Sequence, residues 1–362
     1  MKKKLLSVVM AAVMIMSLAG CGNSSGAGGQ DTGTANTESG TANTETAADT
    51  AEAPAGTKEL KKIKIANNPF IGVAPVYIAK DMGIFEKYGL DVELVSFNDS
   101  SESTAALVSG NVDIAGSTLD AALIMADQYR DQMPQVVCIR DDSAGADGIV
   151  AVNGIDSIND LKGKTIGVAI NQTTHYLLQQ ALEKAGIDES EVKLVDMSSS
   201  DAGSSFISGN IEVAVTWEPY LSNAANSDIG KVIFSSKDAP GSIMDVMMVS
   251  KKTADAKEAW VSDAIAAMEE ARLAMFDPAT KDEAMEIASK YLEVSAADTE
   301  AMLPTVKLYT NEEGIEAINQ DGLAYGVVNK VSDFYVGRGI MKAVVDPADV
   351  LDPYFVENAK LK

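Results

Sequence analysis

From residue 62 the chain alternates between two rhythms. KIKIANNPF (62–70) is an apolar run that breaks into a polar turn, as a strand would, and GVAPVYIAKDMGIFEKYG (72–89) spaces its apolar residues as a helix does. LDVELVSF (90–97) is a second strand, SESTAALVSG (101–110) a short helix closed by glycine, and NVDIAG (111–116) a third strand. Ser117 and Thr118 then open the helical LDAALIMADQYR, and QVVCIR (135–140) is a further strand. After GADGIVAV (145–152) the pattern restarts with strand LKGKTIGVAI (161–170) and helix QTTHYLLQQALEKAG (172–186). Strands at 191–197 and 211–217 flank a short helix, and KVIFSS and IMDVMMVS are two more strands. From Lys251 onward the pattern is largely helical. Strands alternating with helices of this length predict mostly parallel α/β sheets.

One unit is written twice. SGNVDIAGST begins at Ser109 and SGNIEVAVTW at Ser208, 99 positions later, and the likeness extends upstream through residues 90–115 and 191–214. A period of this length is too long for a solenoid repeat and predicts two similar lobes. The chain passes between them near residues 141–148 and again near 239–247, and two crossings make a hinge over a cleft. The expected boundaries are 58–145 for the first part of lobe one, 146–246 for lobe two, and 247–362 for the return to lobe one with its C-terminal helices.

The N-terminal 57 residues follow other rules. MKKK precedes the 14-residue apolar run LLSVVMAAVMIMSL, too short for a membrane span and right for a signal-peptide core. LAGC then predicts cleavage after residue 20 and lipidation of Cys21. Residues 22–57 have no aromatic, Leu, Ile, Val or Met, so they cannot bury enough apolar surface to offset chain entropy and are expected to be a tether. Localisation is thus expected to be extracytoplasmic, lipid-anchored to a bacterial cell membrane, with the anchor as the only membrane contact.

Charge narrows the partners. The chain has 53 acidic and 29 basic side chains; without the three leader lysines the net charge is −27, which argues against nucleic acid or anionic lipid as partner. Cys138, in QVVCI, is the only other cysteine and is expected to be a buried, inert thiol. One histidine and one free cysteine assemble no metal site, and no GxxxxGK[ST] or strand-following GxGxxG is present, so no metal or cofactor is expected.

In open α/β sheets ligands sit beyond the carboxyl ends of the strands. The polar loops there give the candidate ligand-binding residues: Asn68 and Phe70, Ser117 and Thr118, Thr173, Thr174 and His175, Trp217 and Glu218, with Asp142 and Ser143 at the crossing. Helix starts at Ser117–Thr118 and Thr173–Thr174 suit an anion, although capping alone accounts for any one of them. His175, the sole histidine, has no identifiable nucleophile or orienting partner, so catalysis by it is not expected. Trp217 offers a flat apolar face and one N–H donor.

The ordered set VAPVYIAKDMGIFEKYGLDVELV, SGNVDIAGS, INDLKGKTIGV and AVTWEPYL resembles the nitrate/sulfonate/taurine-type solute-binding proteins of bacterial ABC importers, which are related to thiamine-precursor binding proteins. The resemblance implies a periplasmic-binding-protein type II fold, two α/β lobes with a hinge and a central ligand cleft. It implies closure of the cleft over one small-molecule ligand and its delivery to an ABC permease and its ATPase; with no catalytic set in the sequence no enzymatic activity is expected, and the protein is expected to be a monomer. A sulfonate, taurine or nitrate-like anion is the expected ligand; a thiamine pyrimidine precursor, another vitamin precursor or an amine is the alternative. No arginine stands at the loop positions, and Arg140 is the nearest counter-charge. A pyrimidine-synthase-like enzyme or a ligand sensor for a membrane receptor are the more distant readings.

Overall fold

In the computed structural model, which describes residues 59–362, both Ser-Gly-Asn stretches end a helix in the same way. Helix Ser100–Val108 is followed by Gly110 at φ 75°, and helix Ser199–Ile207 by Gly209 at φ 72°. The amides of Gly110 and Asn111 return to the carbonyls of Leu107 and Ala106, and those of Gly209 and Asn210 to Phe206 and Ser205. This is the Schellman closure, and its left-handed residue favours glycine, which explains why the motif is spelled twice. The helix starts match too: Asp99 accepts from the Glu102 amide and Ser198 from the Asp201 amide.

Eleven strands follow in order: β1 (Lys61–Asn67), β2 (Leu90–Ser96), β3 (Ile114–Thr118), β4 (Gln135–Ser143), β5 (Asp147–Val152), β6 (Thr165–Val168), β7 (Lys193–Asp196), β8 (Val213–Trp217), β9 (Gly230–Ser235), β10 (Met244–Val249) and β11 (Val306–Leu308). They form a six-stranded sheet, β11-β4-β10-β3-β1-β2, and a five-stranded sheet, β7-β6-β8-β5-β9. Within each, one β-α-β repeat is parallel: β1 pairs with β2 and β3, and β6 with β7 and β8. The remaining pairs are antiparallel. The sheets are therefore mixed, not mostly parallel. The physical reason is the double crossing: β5 and β10 each arrive from the opposite lobe and run against β8 and β3.

Strand β10 pairs with β3 and β4 from Met244 onward, so the chain is back in the first sheet three residues before the expected return at 247. The crossings themselves are the short links between β4 and β5 and between β9 and β10. The leader, Cys21 and the tether lie outside the described residues.

One large apolar cluster fills the first lobe, where the C-terminal helices Ala259–Ala274, Lys281–Leu292 and Leu323–Gly337 complete the burial. Two smaller clusters fill the second lobe on either side of its sheet. Tyr176 and Trp217 belong to the second lobe by sequence yet pack with the first lobe's cluster. Cys138 is buried and unpaired, and burial pushes its thiol up to about 12, so it stays protonated and inert. Among the described residues no helix is long and apolar enough to cross a membrane.

Candidate functional site

The carboxyl ends of the parallel strands of both sheets face one another across a cleft. Its inner cavity is lined from the first lobe by Asn68 and Phe70 after β1, Asp99, Ser100 and Ser101 after β2, Thr118 ending β3, and Ile243 and Asp245 around the start of β10. The second lobe contributes Asp147 opening β5, Gln172 and Thr173 at the helix after β6, and Trp217 ending β8. Thr118 and Trp217 occupy the same place in the duplicated unit, 99 positions apart.

The lobes touch here. Thr173 Oγ1 donates to Asp120, 2.9 Å from one carboxylate oxygen and 3.1 Å from the other, and so accepts from the Thr118 hydroxyl at 2.9 Å. Tyr335 OH also donates to Asp120, at 2.8 Å. Farther along the rim, Arg338 meets Glu189 at 2.8 Å and Lys330 donates to Gln180 at 3.1 Å.

Acid dominates the cavity floor. Asp147 is 3 % exposed and accepts from Ser143 Oγ at 2.6 Å. Burial, aided by the neighbouring charges of Asp245, Asp120 and Glu218, pushes its carboxyl up to about 7. Burial likewise lifts Asp245 to about 6, against the pull of the Arg140 charge. Asp141 lies behind it, fully buried, and rises well above the carboxylate range through burial and the Asp245 charge. Among the described residues no lysine or arginine lines this cavity. The Arg140 guanidinium is turned to Asn67 Oδ1 at 3.1 Å, where Gly116 leaves the room: a Cβ there would stand 2.1 Å from that oxygen.

The structure brings five of the eleven candidate residues together in the cavity: Asn68, Phe70, Thr118, Thr173 and Trp217. The other six have other partners. Ser117 bonds Thr104 at 2.8 Å inside its own lobe, and Thr174 bonds Ser199 at 3.2 Å. His175 accepts from the Asn171 amide through Nδ1 at 3.0 Å, which leaves the proton on Nε2, 3.2 Å from Glu189. Burial lowers its pKa, so its charged form is disfavoured. Glu218 accepts from the amide and hydroxyl of Ser222, at 3.0 and 2.6 Å. Asp142 accepts from the Gly241 amide, and Ser143 tethers Asp147 to Ser236 across the crossing.

Asp99, Asp147 and Asp245 were absent from the candidates, though a signal existed for one. Asp245 is the single charged residue in the apolar run IMDVMMVS, and a carboxylate in a buried strand demands a reason. Trp217 Nε1 is buried without a partner in the protein. Among the described residues no group of three His, Cys, Asp or Glu side chains is placed to hold a metal.

Comparison with known proteins adds a family. Residues 56–289 match the model of the NMT1-like family. A Brucella abortus protein described as a binding protein is 30% identical over 297 residues, covering 78% of this chain and 88% of that protein. The taurine-binding periplasmic protein of Escherichia coli is 30% identical over 188 residues, 50% of this chain and 57% of that protein. The periplasmic aliphatic sulphonate binding protein SsuA from Escherichia coli shares the fold, with a TM-score of 0.69 at 17% identity over 81% of this chain and 92% of that one. The chain therefore belongs to the NMT1-like family and has the periplasmic-binding-protein type II fold, two α/β lobes joined by a hinge.

Proposed function

We propose that the protein is an extracytoplasmic solute-binding protein, held at the membrane through a lipid on Cys21, that captures one small molecule between its lobes and delivers it to an ABC permease and its ATPase. The observation that carries this reading is the cavity built from both lobes at the hinge, walled by Asp147, Asp245, Thr118, Thr173 and Trp217. A solute touching both walls favours the closed arrangement by its differential affinity for it. The relatives' binding names support the same reading.

The lining argues for a ligand head that carries positive charge or several N–H donors. A bare anion would meet Asp99, Asp147 and Asp245 with no cationic side chain on the wall. A second reading keeps an anionic end: Ser100, Ser101 and Thr173 begin helices beside those carboxylates, so an aminosulfonate zwitterion could set its amine on the acids and its sulfonate on the helix starts. Thermal unfolding of the lipid-free mature chain (Cys21→Ser) against amines, taurine, alkanesulfonates and nitrate tests both. A ligand at about 100 times its Kd adds roughly 2.7 kcal/mol and raises the midpoint. A rise with amines or taurine supports the reading. A rise with nitrate or plain sulfonates alone refutes the head-group argument, and silence with no contraction in X-ray scattering on adding any solute refutes capture.

A further inference from the structure

The cleft has two compartments, and Trp217 is the one residue lining both. The inner, acid-walled cavity is about 20 Å³, little above the roughly 10–15 Å³ that one water needs. It has room for a single small group. The outer cavity is about 230 Å³, larger than the roughly 150 Å³ cavity known to hold benzene. Four ring side chains stand around it: Pro69 and Phe97 from the first lobe, Trp217 and Tyr220 from the second. Phe97 and Tyr220 are only partly buried, each packed against the first lobe's cluster.

Resting on the capture reading above, we infer that the ligand is a two-part molecule: a small amine head in the inner cavity against Asp147 and Asp245, joined to a single planar ring in the outer one. Aromatic faces from opposite lobes suit a flat ring, which gains contact on each side only when the lobes are together. The carboxylates suit the head and repel an anionic one. Neither compartment alone distinguishes such a ligand from a small zwitterion. The pair does, because an aminosulfonate leaves the larger compartment unfilled.

The test is calorimetric titration of the lipid-free mature chain with four probes: phenethylamine, propylamine, benzenesulfonate and taurine. Phenethylamine should bind at least tenfold more tightly than each of the other three. Phe97→Ala should weaken phenethylamine about tenfold and leave propylamine unchanged. Ser200→Trp, which fills the outer cavity without removing an apolar contact, should do the same, and its result stands if the alanine variant is poorly folded. Taurine binding best, or phenethylamine indifferent to both substitutions, would overturn the two-part ligand while leaving solute capture intact. Benzenesulfonate matching phenethylamine would overturn the amine head. If none of the four binds and scattering shows no contraction with any, the inference and the capture reading fall together.

Discussion

Asp147→Asn should make the protein more stable and less able to bind an amine, and the size of the first effect can be worked from the structure. The carboxyl is fully buried and rises from 3.8 to about 7, which corresponds to roughly 4 kcal/mol of disfavoured ionisation. Between those two values the folded protein holds a proton that the unfolded chain has released. Stability therefore falls as pH rises through this window, is unaffected by this group below about 4, and carries the whole penalty above about 7. Asparagine keeps an oxygen for Ser143 Oγ, now 2.6 Å from the carboxylate, and never ionises. The variant should match the parent in urea unfolding near pH 4 and exceed it at pH 8 by up to about 4 kcal/mol. Amine affinity at pH 8 should drop at least tenfold. An equal effect on stability at both pH values, or a loss at pH 8, would refute the charge argument.

Three further outcomes are expected. Amine affinity of the parent should rise with pH between about 5 and 7, because Asp245 and Asp147, lifted to about 6 and about 7, must lose protons to pair with it; a flat titration by calorimetry would place the amine elsewhere. Arg338→Ala removes the half-exposed link to Glu189, a contact of about 1 kcal/mol, and should shift lobe closure about fivefold toward the open form, read as a larger radius of gyration by X-ray scattering; an unchanged radius would mean the rim contact does not hold the lobes. Cys21→Ser should release the protein from membranes on cell fractionation, and a protein that stays bound without lipid would end the anchor argument.

Much of this architecture was legible in the sequence because it rests on periodicity. Strand runs of period two, helices of period 3.6 and a unit repeated after 99 positions give two lobes, a double crossing and the loops that face the cleft. Individual side chains were harder to place, and the neighbours Ser117 and Thr118 show why. They are adjacent on β3, so their side chains point to opposite faces, one into the lobe and one into the cleft. The same holds on a helix, where each residue turns by about 100°: Thr173 faces Thr118 while Thr174 and His175 turn to Ser199 and Glu189. A loop can be located from sequence, but its register sets which hydroxyl reaches a ligand. Mixed pairing was missed for a related reason, since which strand crosses to the other sheet is decided by the hinge and not by local propensity.

The placement of the acids ties charge to motion. Asp142 and Ser143 end the strand that enters the first crossing, Asp147 opens the strand that leaves it, and Asp245 lies on the strand that returns from the second. Residues at a pivot change their separation least as the lobes swing, so the repulsion between these carboxyls is nearly constant from open to closed. A cationic head binding there relieves that repulsion without itself supplying much leverage on the lobes. Leverage belongs to the mouth, where Phe97 faces Trp217 and Tyr220 and a small rotation moves the walls farthest. Affinity and closure are therefore separable: substitutions of the hinge acids should change binding at fixed shape, whereas substitutions of the mouth rings should change the extent of contraction that binding produces. A variant of Asp245 that binds weakly yet contracts fully at saturation would bear this out, and one that saturates without contraction would contradict it.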